Sequence, residues 1–171
     1  MSVEVWLAYV ATVLLLMSTP GPSHLLMLSN SLRHGFRPAT ATAAGDLSAN
    51  TLQILAAGFG LVGVIFASET AFTVVKWAGV AYLVYVGLRL FRRKPPVPGA
   101  APTVSRGKLY MQGFVTSAAN PKAVVFFAAL FPQFIDPALP LAPQIAILGA
   151  TYIVIDGSFL CAYGLFAGWV G

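Results

Sequence analysis

Charge is scarce in this chain. Of its 171 residues only 9% are Asp, Glu, Lys or Arg, against about 25% in an ordinary soluble domain. With 58% hydrophobic residues and a mean hydropathy of +0.81, there is too little polar surface to cover a fold in water, and lipid must supply the missing shell. Cysteine is nearly absent. Cys161 stands alone, which excludes an intrachain disulfide and a cysteine metal cage, and a lone thiol in an apolar run is expected to be buried as a small apolar group. The five acidic residues are too few and too scattered for a hard-cation cage, so no metal site is expected. The chain has no H-E-x-x-H, no G-x-S-x-G, no phosphate loop and no cysteine–histidine metal spacing, which removes the common hydrolase and nucleotide-binding classes. Ser23 and His24 adjoin, but neighbours on a helix do not face each other, so they make no catalytic pair. The expectation is a protein that is not an enzyme and carries no cofactor.

What is present is a set of five apolar runs, each near the roughly 20 residues that a bilayer requires. They cover about residues 5–28, 39–67, 72–91, 109–134 and 143–170. The predicted fold is all-α, a polytopic helical membrane protein forming one membrane domain over 1–171. Trp6 and Tyr9 read as an interfacial aromatic belt. The first run has no basic residue ahead of it and is long for a signal-peptide core, so it is expected to be a retained span.

The ten basic residues give a net charge of +5, but they adjoin the apolar runs and read as an orientation signal, not as a nucleic-acid surface. Arg33 and Arg37 lie between the first two spans. Arg89, Arg92, Arg93, Lys94, Arg106 and Lys108 surround the connection between the third and fourth. The positive-inside rule puts both groups in the cytoplasm, leaving the amino terminus outside. Glu69 and Asp136 then belong to outer connections, and His34 to a solvated cytoplasmic turn.

The first span holds Ser18-Thr19-Pro20-Gly21-Pro22. Two prolines and a glycine remove backbone donors where a continuous helix would need them. Freed carbonyls at membrane depth must find partners in protein or line a wet cavity, and broken helices at that depth are typical of transporter binding sites. Asn120-Pro121-Lys122 repeats the pattern in the fourth span, where Ser117 loses its regular helical donor, and Asn120 and Ser117 could re-satisfy freed groups or line a pocket. Asp46 follows in the second span and Asp156 in the fifth. A break and then an aspartate, on each side of the uncharged stretch 95–105, suggest an inverted repeat: residues 1–94 with three spans, a cytoplasmic linker over 95–108, and an incomplete second repeat over 109–171. A full repeat calls for a sixth span, for which the chain, ending at Gly171, leaves no room.

Asp46, Lys122 and Asp156 are ionisable residues within spans, each costing a few kcal/mol to insert. Helix rise puts Lys122 about 20 Å from the cytoplasmic edge and both aspartates about 10 Å from it. One reading is a transport site: a carboxylate carries a proton or meets a substrate ammonium, and Lys122 meets a substrate carboxylate. The other is a structural ion pair between helices, with Asp46 snorkelling to the interface. His24, one turn beyond Pro20, reads equally as a titrating group or as a neutral ring bonded to a neighbouring helix. Gly164 and Gly168 form a GxxxG pair of the kind that lets membrane helices approach, which points weakly to a homodimer.

Ser18-Thr19-Pro20-Gly21-Pro22 resembles the amino-terminal motif of the lysine exporter / homoserine-threonine resistance family of amino-acid exporters. Two further blocks match: residues 76–83 (KWAGVAYL) with Gly87, and Gly113-Phe114 followed by Asn120-Pro121-Lys122-Ala123 and Phe131-Pro132-Gln133-Phe134. The resemblance implies an inner-membrane exporter of amino acids or close derivatives, driven by protons. It also implies a transport path formed by Thr19, Pro20, Gly21 and Pro22 with Asn120, Pro121 and Lys122. Members usually have six spans, and five are seen here. On this expectation the partners are a small amino acid, protons and the lipid bilayer, and Asp46 or Asp156 carries the proton. Two other readings stand beside it: an exporter of a toxic cation, and a non-transporting membrane subunit.

Overall fold

In a computed structural model the chain is described over residues 1–61 and 104–170. The expected third span, the 76–83 block, Glu69 and most of the linker lie outside these residues. Every regular element among the described residues is helical. Helix α1 (Val3–Ser18) starts where Ser2 accepts the Val5 amide, and ends at Thr19 in an extended conformation. Helix α2 (Pro22–His34) begins with proline at its first turn, where a missing donor does no harm. The two axes are bent by 54°, so the prolines break the first span into two helices. Gly35 takes φ +82°, a left-handed conformation that suits glycine, and turns the chain into α3 (Phe36–Leu55). A wide π-helical turn, Ala56–Leu61, continues it.

The segment expected to form the fourth span is broken as well. Helix α4 (Arg106–Ala118) stops before Asn120, and α5 (Pro121–Val125) restarts there, running on through a π turn (Phe126–Leu130) and a tight turn (Phe131–Phe134). Helix α6 (Leu141–Val170) is unbroken, and its 27 residues Leu141–Ala167 are long and apolar enough to cross a bilayer.

The buried stripe of α6 runs Ile145, Leu148, Tyr152, Asp156, Leu160 and Ala167, at helical spacing, while Val154, Leu165 and Phe166 point outward. The inward stripe of α2 is mostly polar: Ser23, His24, Asn30 and Ser31 around Met27, with Leu25 and Leu32 outward. This reverses the pattern of a soluble helix and fits a chain with apolar surroundings. The apolar core lies to one side of the polar residues. Tyr9, Val13 and Met17 of α1 meet Phe126, Phe127 and Phe131 and the α6 residues Leu148 and Tyr152. Phe127 and Tyr152 rings are 4.7 Å apart, Tyr9 and Phe134 rings 5.1 Å.

Two expectations change here. Tyr9 is fully buried and donates to the Leu148 carbonyl at 3.1 Å, so it belongs to the core and not to an interfacial belt; its hydroxyl finds a backbone acceptor, which lets the ring enter the interior. Trp6 is half-buried and donates to Thr151. Cys161 is exposed on the outward side of α6, in register with Leu165 one turn on, because the inward stripe passes through Leu160 and Gly164. Gly164 faces Met27 and Phe36 of the same chain, whose side chains an added Cβ would strike at 2.6 and 2.8 Å. Its small size therefore serves packing within this chain.

Helices α3 and α4 make the most extensive pairing among the described elements. Gly45 and Gly113 sit at the crossing. A Cβ on Gly45 would overlap the Tyr110 carbonyl, and one on Gly113 the Thr42 carbonyl. Backbone meets backbone here, and only glycine permits it.

Candidate functional site

Both breaks open toward the same place. At the end of α1 the Thr19 carbonyl has lost its helical donor, and the Lys122 ammonium donates to it at 2.7 Å. At the end of α4 the Ser117 carbonyl accepts from the Asn120 amide at 2.9 Å, and Gln53 of α3 donates to the Ser117 and Ala118 carbonyls at 3.4 and 3.3 Å. Asn120 caps α5, its Oδ1 accepting the Lys122 amide at 3.1 Å, while its Nδ2 donates to Ser23 Oγ at 3.3 Å. The backbone groups released by the breaks are thus taken up by Lys122 across from the first break, by Gln53 of α3 and by Asn120 at the second break itself, as a low-dielectric setting demands.

Between the breaks lie two carboxylates. Asp46 and Asp156 are 1% and 2% exposed and come from α3 and α6. Asn50, one turn after Asp46, donates to Asp46 Oδ2 at 2.9 Å and to Asp156 Oδ2 at 2.8 Å. Ser117 donates to Asn50 Oδ1 at 2.9 Å. Both hydrogens of the Asn50 amide and its oxygen are thereby used. His24 lies against the pair, with Nε2 at 3.6 Å from Asp156 Oδ1. Its Nδ1 accepts the Gly21 amide at 3.3 Å. His24 Nε2 and Asp46 Oδ1 are buried without a hydrogen-bond partner among the described residues. Met17, Ala123 and Tyr152 complete the lining with apolar surface, and the space between these groups is about 10 Å³, close to the roughly 10–15 Å³ one water requires.

Lys122, Asp46 and Asp156 therefore line one cavity, although counting helix rise separates the lysine from the aspartates by about 10 Å. The breaks remove that separation. Lys122 bonds to a carbonyl and not to either carboxylate, and Asp46 is buried, not snorkelling to an interface. Gly21 enters through its amide and is buried beside the lysine stem, an added Cβ meeting Lys122 Cδ at 3.5 Å. Thr19 contributes its carbonyl, with its side chain exposed, and Pro20 is exposed. Pro22 and Pro121 act by starting helices. Asp136 is exposed in a turn, accepting the Ala138 amide, in keeping with a loop role.

Sequence reasoning missed Asn50. Its signal was one helical turn from Asp46, but a lone asparagine in an apolar run does not declare its partners. It also missed the cluster on the side of the cavity nearer Gly35, where Asn30 donates to Thr42 Oγ1 at 2.9 Å and to Gln112 Oε1 at 3.1 Å. Ser23, seven residues before Asn30, lies on the same inward stripe, so a polar line leads from the cavity toward the Gly35 turn.

Among known families, the one described as LysE type translocator matches residues 14–171. The homoserine/homoserine lactone efflux protein of Salmonella typhi is 38% identical over 169 residues, covering 98% of this chain and 82% of that protein. An uncharacterized membrane protein of Vibrio cholerae is 34% identical over 173 residues, covering 100% and 84%. The leucine efflux protein of Salmonella choleraesuis is 27% identical over 169 residues, covering 91% and 80%. No solved structure matches the chain.

Proposed function

We propose that this chain, which belongs to the LysE-type translocator family, exports a small neutral amino acid or a close derivative across the inner membrane in exchange for protons. The observation that carries this reading is the pair Asp46 and Asp156 held on one amide, Asn50, beside two broken spans joined by Lys122. A zwitterion presents an ammonium and a carboxylate. The carboxylate pair suits the first, and Lys122, once released from Thr19, suits the second. The apolar lining from Met17, Ala123 and Tyr152 favours a substrate without a second charge. Homoserine and leucine, in the names of the relatives, fall in that class.

Two buried like charges on one amide repel, and a proton on one of them relieves the repulsion. An arriving ammonium relieves it equally. Proton and substrate ammonium are then alternative occupants of one site, which is the basis of exchange: the substrate leaves outward as a proton arrives, and the proton leaves inward as the next substrate binds. The amino terminus is placed outside by the positive-inside pattern. The two units, 1–94 and 109–171, act as inverted halves, a reading supported by the meeting of their breaks at one cavity.

The test is uptake into inverted membrane vesicles with an acidic lumen, offered a mixed pool of amino acids. Uncoupler-sensitive enrichment of one or a few neutral amino acids is expected; no enrichment, or enrichment unchanged by the uncoupler, overturns the reading. Asp156→Asn keeps the Asn50 contact through a neutral group but cannot exchange a proton. In that variant imposed ΔpH should no longer raise uptake, and a ΔpH response equal to wild type would exclude Asp156 as carrier.

A further inference from the structure

His24 touches both the first break and the carboxylate pair. A backbone N–H only donates, so Nδ1, which accepts from Gly21, carries no proton, and the proton of the neutral ring sits on Nε2. That nitrogen points at Asp156 Oδ1 across 3.6 Å, just beyond hydrogen-bond reach, and has no other partner among the described residues. The ring is 3% exposed. Phe159 and Tyr163 of α6 pack beside it, with ring centres at 6.2 and 5.1 Å. The other ionisable groups lining the same cavity are Asp46 on α3, Lys122 on α5 and the Tyr152 phenol on α6.

We propose that His24 is a positioning residue that transmits the charge of Asp156 to the break in the first span. This rests on the proton-exchange reading above. When Asp156 is ionised, the Nε2–H is drawn to it and forms a charge-assisted hydrogen bond. The imidazole moves toward α6, and the Gly21 amide, tethered to Nδ1, moves with it. Gly21 is two residues from Thr19, whose carbonyl holds Lys122, so the displacement reaches the lysine contact. When Asp156 takes a proton, or a substrate ammonium neutralises it, the pull ends and the break relaxes. No proton passes through the ring, because Nδ1 cannot accept one without releasing Gly21.

Two variants divide the ring's functions. In His24→Asn the side-chain oxygen takes the place of Nδ1, keeping the Gly21 tether with nothing at Nε2. His24→Gln places an amide at the Nε2 position and gives up the tether. In vesicles, the ratio of ΔpH-driven accumulation to exchange at equal pH is expected to fall about tenfold in both, the worth of one charge-assisted hydrogen bond. A ratio equal to wild type in either variant overturns the proposal.

A second readout needs no transport. The chain has two histidines, so in a His34→Gln background ¹⁵N-histidine NMR of the purified protein sees His24 alone. The Nε2–H tautomer is expected, with signals that shift with pH as the charge of Asp156 changes and lose that shift in Asp156→Asn. An Nδ1–H tautomer, or the same shift in Asp156→Asn, overturns the proposal. Should wild-type vesicles show no uptake while the NMR result holds, it is the export reading that fails, and the link between Asp156 and the break stands.

Discussion

Export should fall to background in Lys122→Ala, in vesicles holding wild-type amounts of the protein. The Lys122 ammonium is the group that joins the two broken spans, donating to the Thr19 carbonyl at 2.7 Å from the first turn of α5. Hydrogen bonds to charged groups contribute about 1.5–3 kcal/mol, and here the bond also satisfies a carbonyl that the prolines left without a helical donor. Under the proposed function the same ammonium receives the substrate carboxylate. Its loss removes both the latch and the anchor, while α1, α6 and the aromatic core between them are untouched, so insertion and abundance should persist. Lys122→Met keeps the stem and removes the charge, and should be equally inactive. Transport at half the wild-type rate or better in either variant would show that neither role is needed.

The largest effect on stability is expected at Gly113. Its added Cβ would lie against the Thr42 carbonyl of α3, and the counterpart at Gly45 against the Tyr110 carbonyl of α4. Backbone cannot swing aside as a side chain can, so the helices must part. Overpacking a close contact costs about 1–3 kcal/mol, and Gly113→Ala or Gly45→Ala should reach the top of that range. The expected result is a clearly lower unfolding temperature in detergent and a reduced yield in the membrane. Gly107 is on the same helix with nothing within 4 Å of an added Cβ, and Gly107→Ala should melt with wild type. Equal melting of all three variants would mean that the α3–α4 crossing can loosen freely.

The elements that could be read from the sequence are those written in residue types that a membrane helix normally avoids. Pro20, Pro22 and Pro121 mark breaks because proline has no amide to donate. Asp46, Lys122 and Asp156 mark the interior because charge has no other reason to enter lipid. The rest depended on partners that a linear pattern does not reveal. Asn50 matters because α6 brings Asp156 to the other hydrogen of an amide already bonded to Asp46. Tyr9 looked interfacial by type and depth, and is buried because the Leu148 carbonyl accepts its hydroxyl. Cys161 looked buried by type and is turned outward by a register fixed at Leu160 and Gly164. Gly45 is one of 16 glycines with nothing local to distinguish it from Gly107, and Gly113 stood out only through the family block Gly113-Phe114, which does not say what it packs against.

The space between Lys122 and the carboxylates, about 10 Å³, has a thermodynamic consequence for any binding measurement. A site with room for one water admits no amino acid, so a substrate binds only the fraction of molecules that have opened. The measured dissociation constant is then the intrinsic one divided by that fraction. Substitutions that favour the open form, such as loosening the hold of Lys122 on Thr19 without removing its charge, should tighten apparent binding while slowing the return to the closed form. Affinity and turnover would move in opposite directions across such a series.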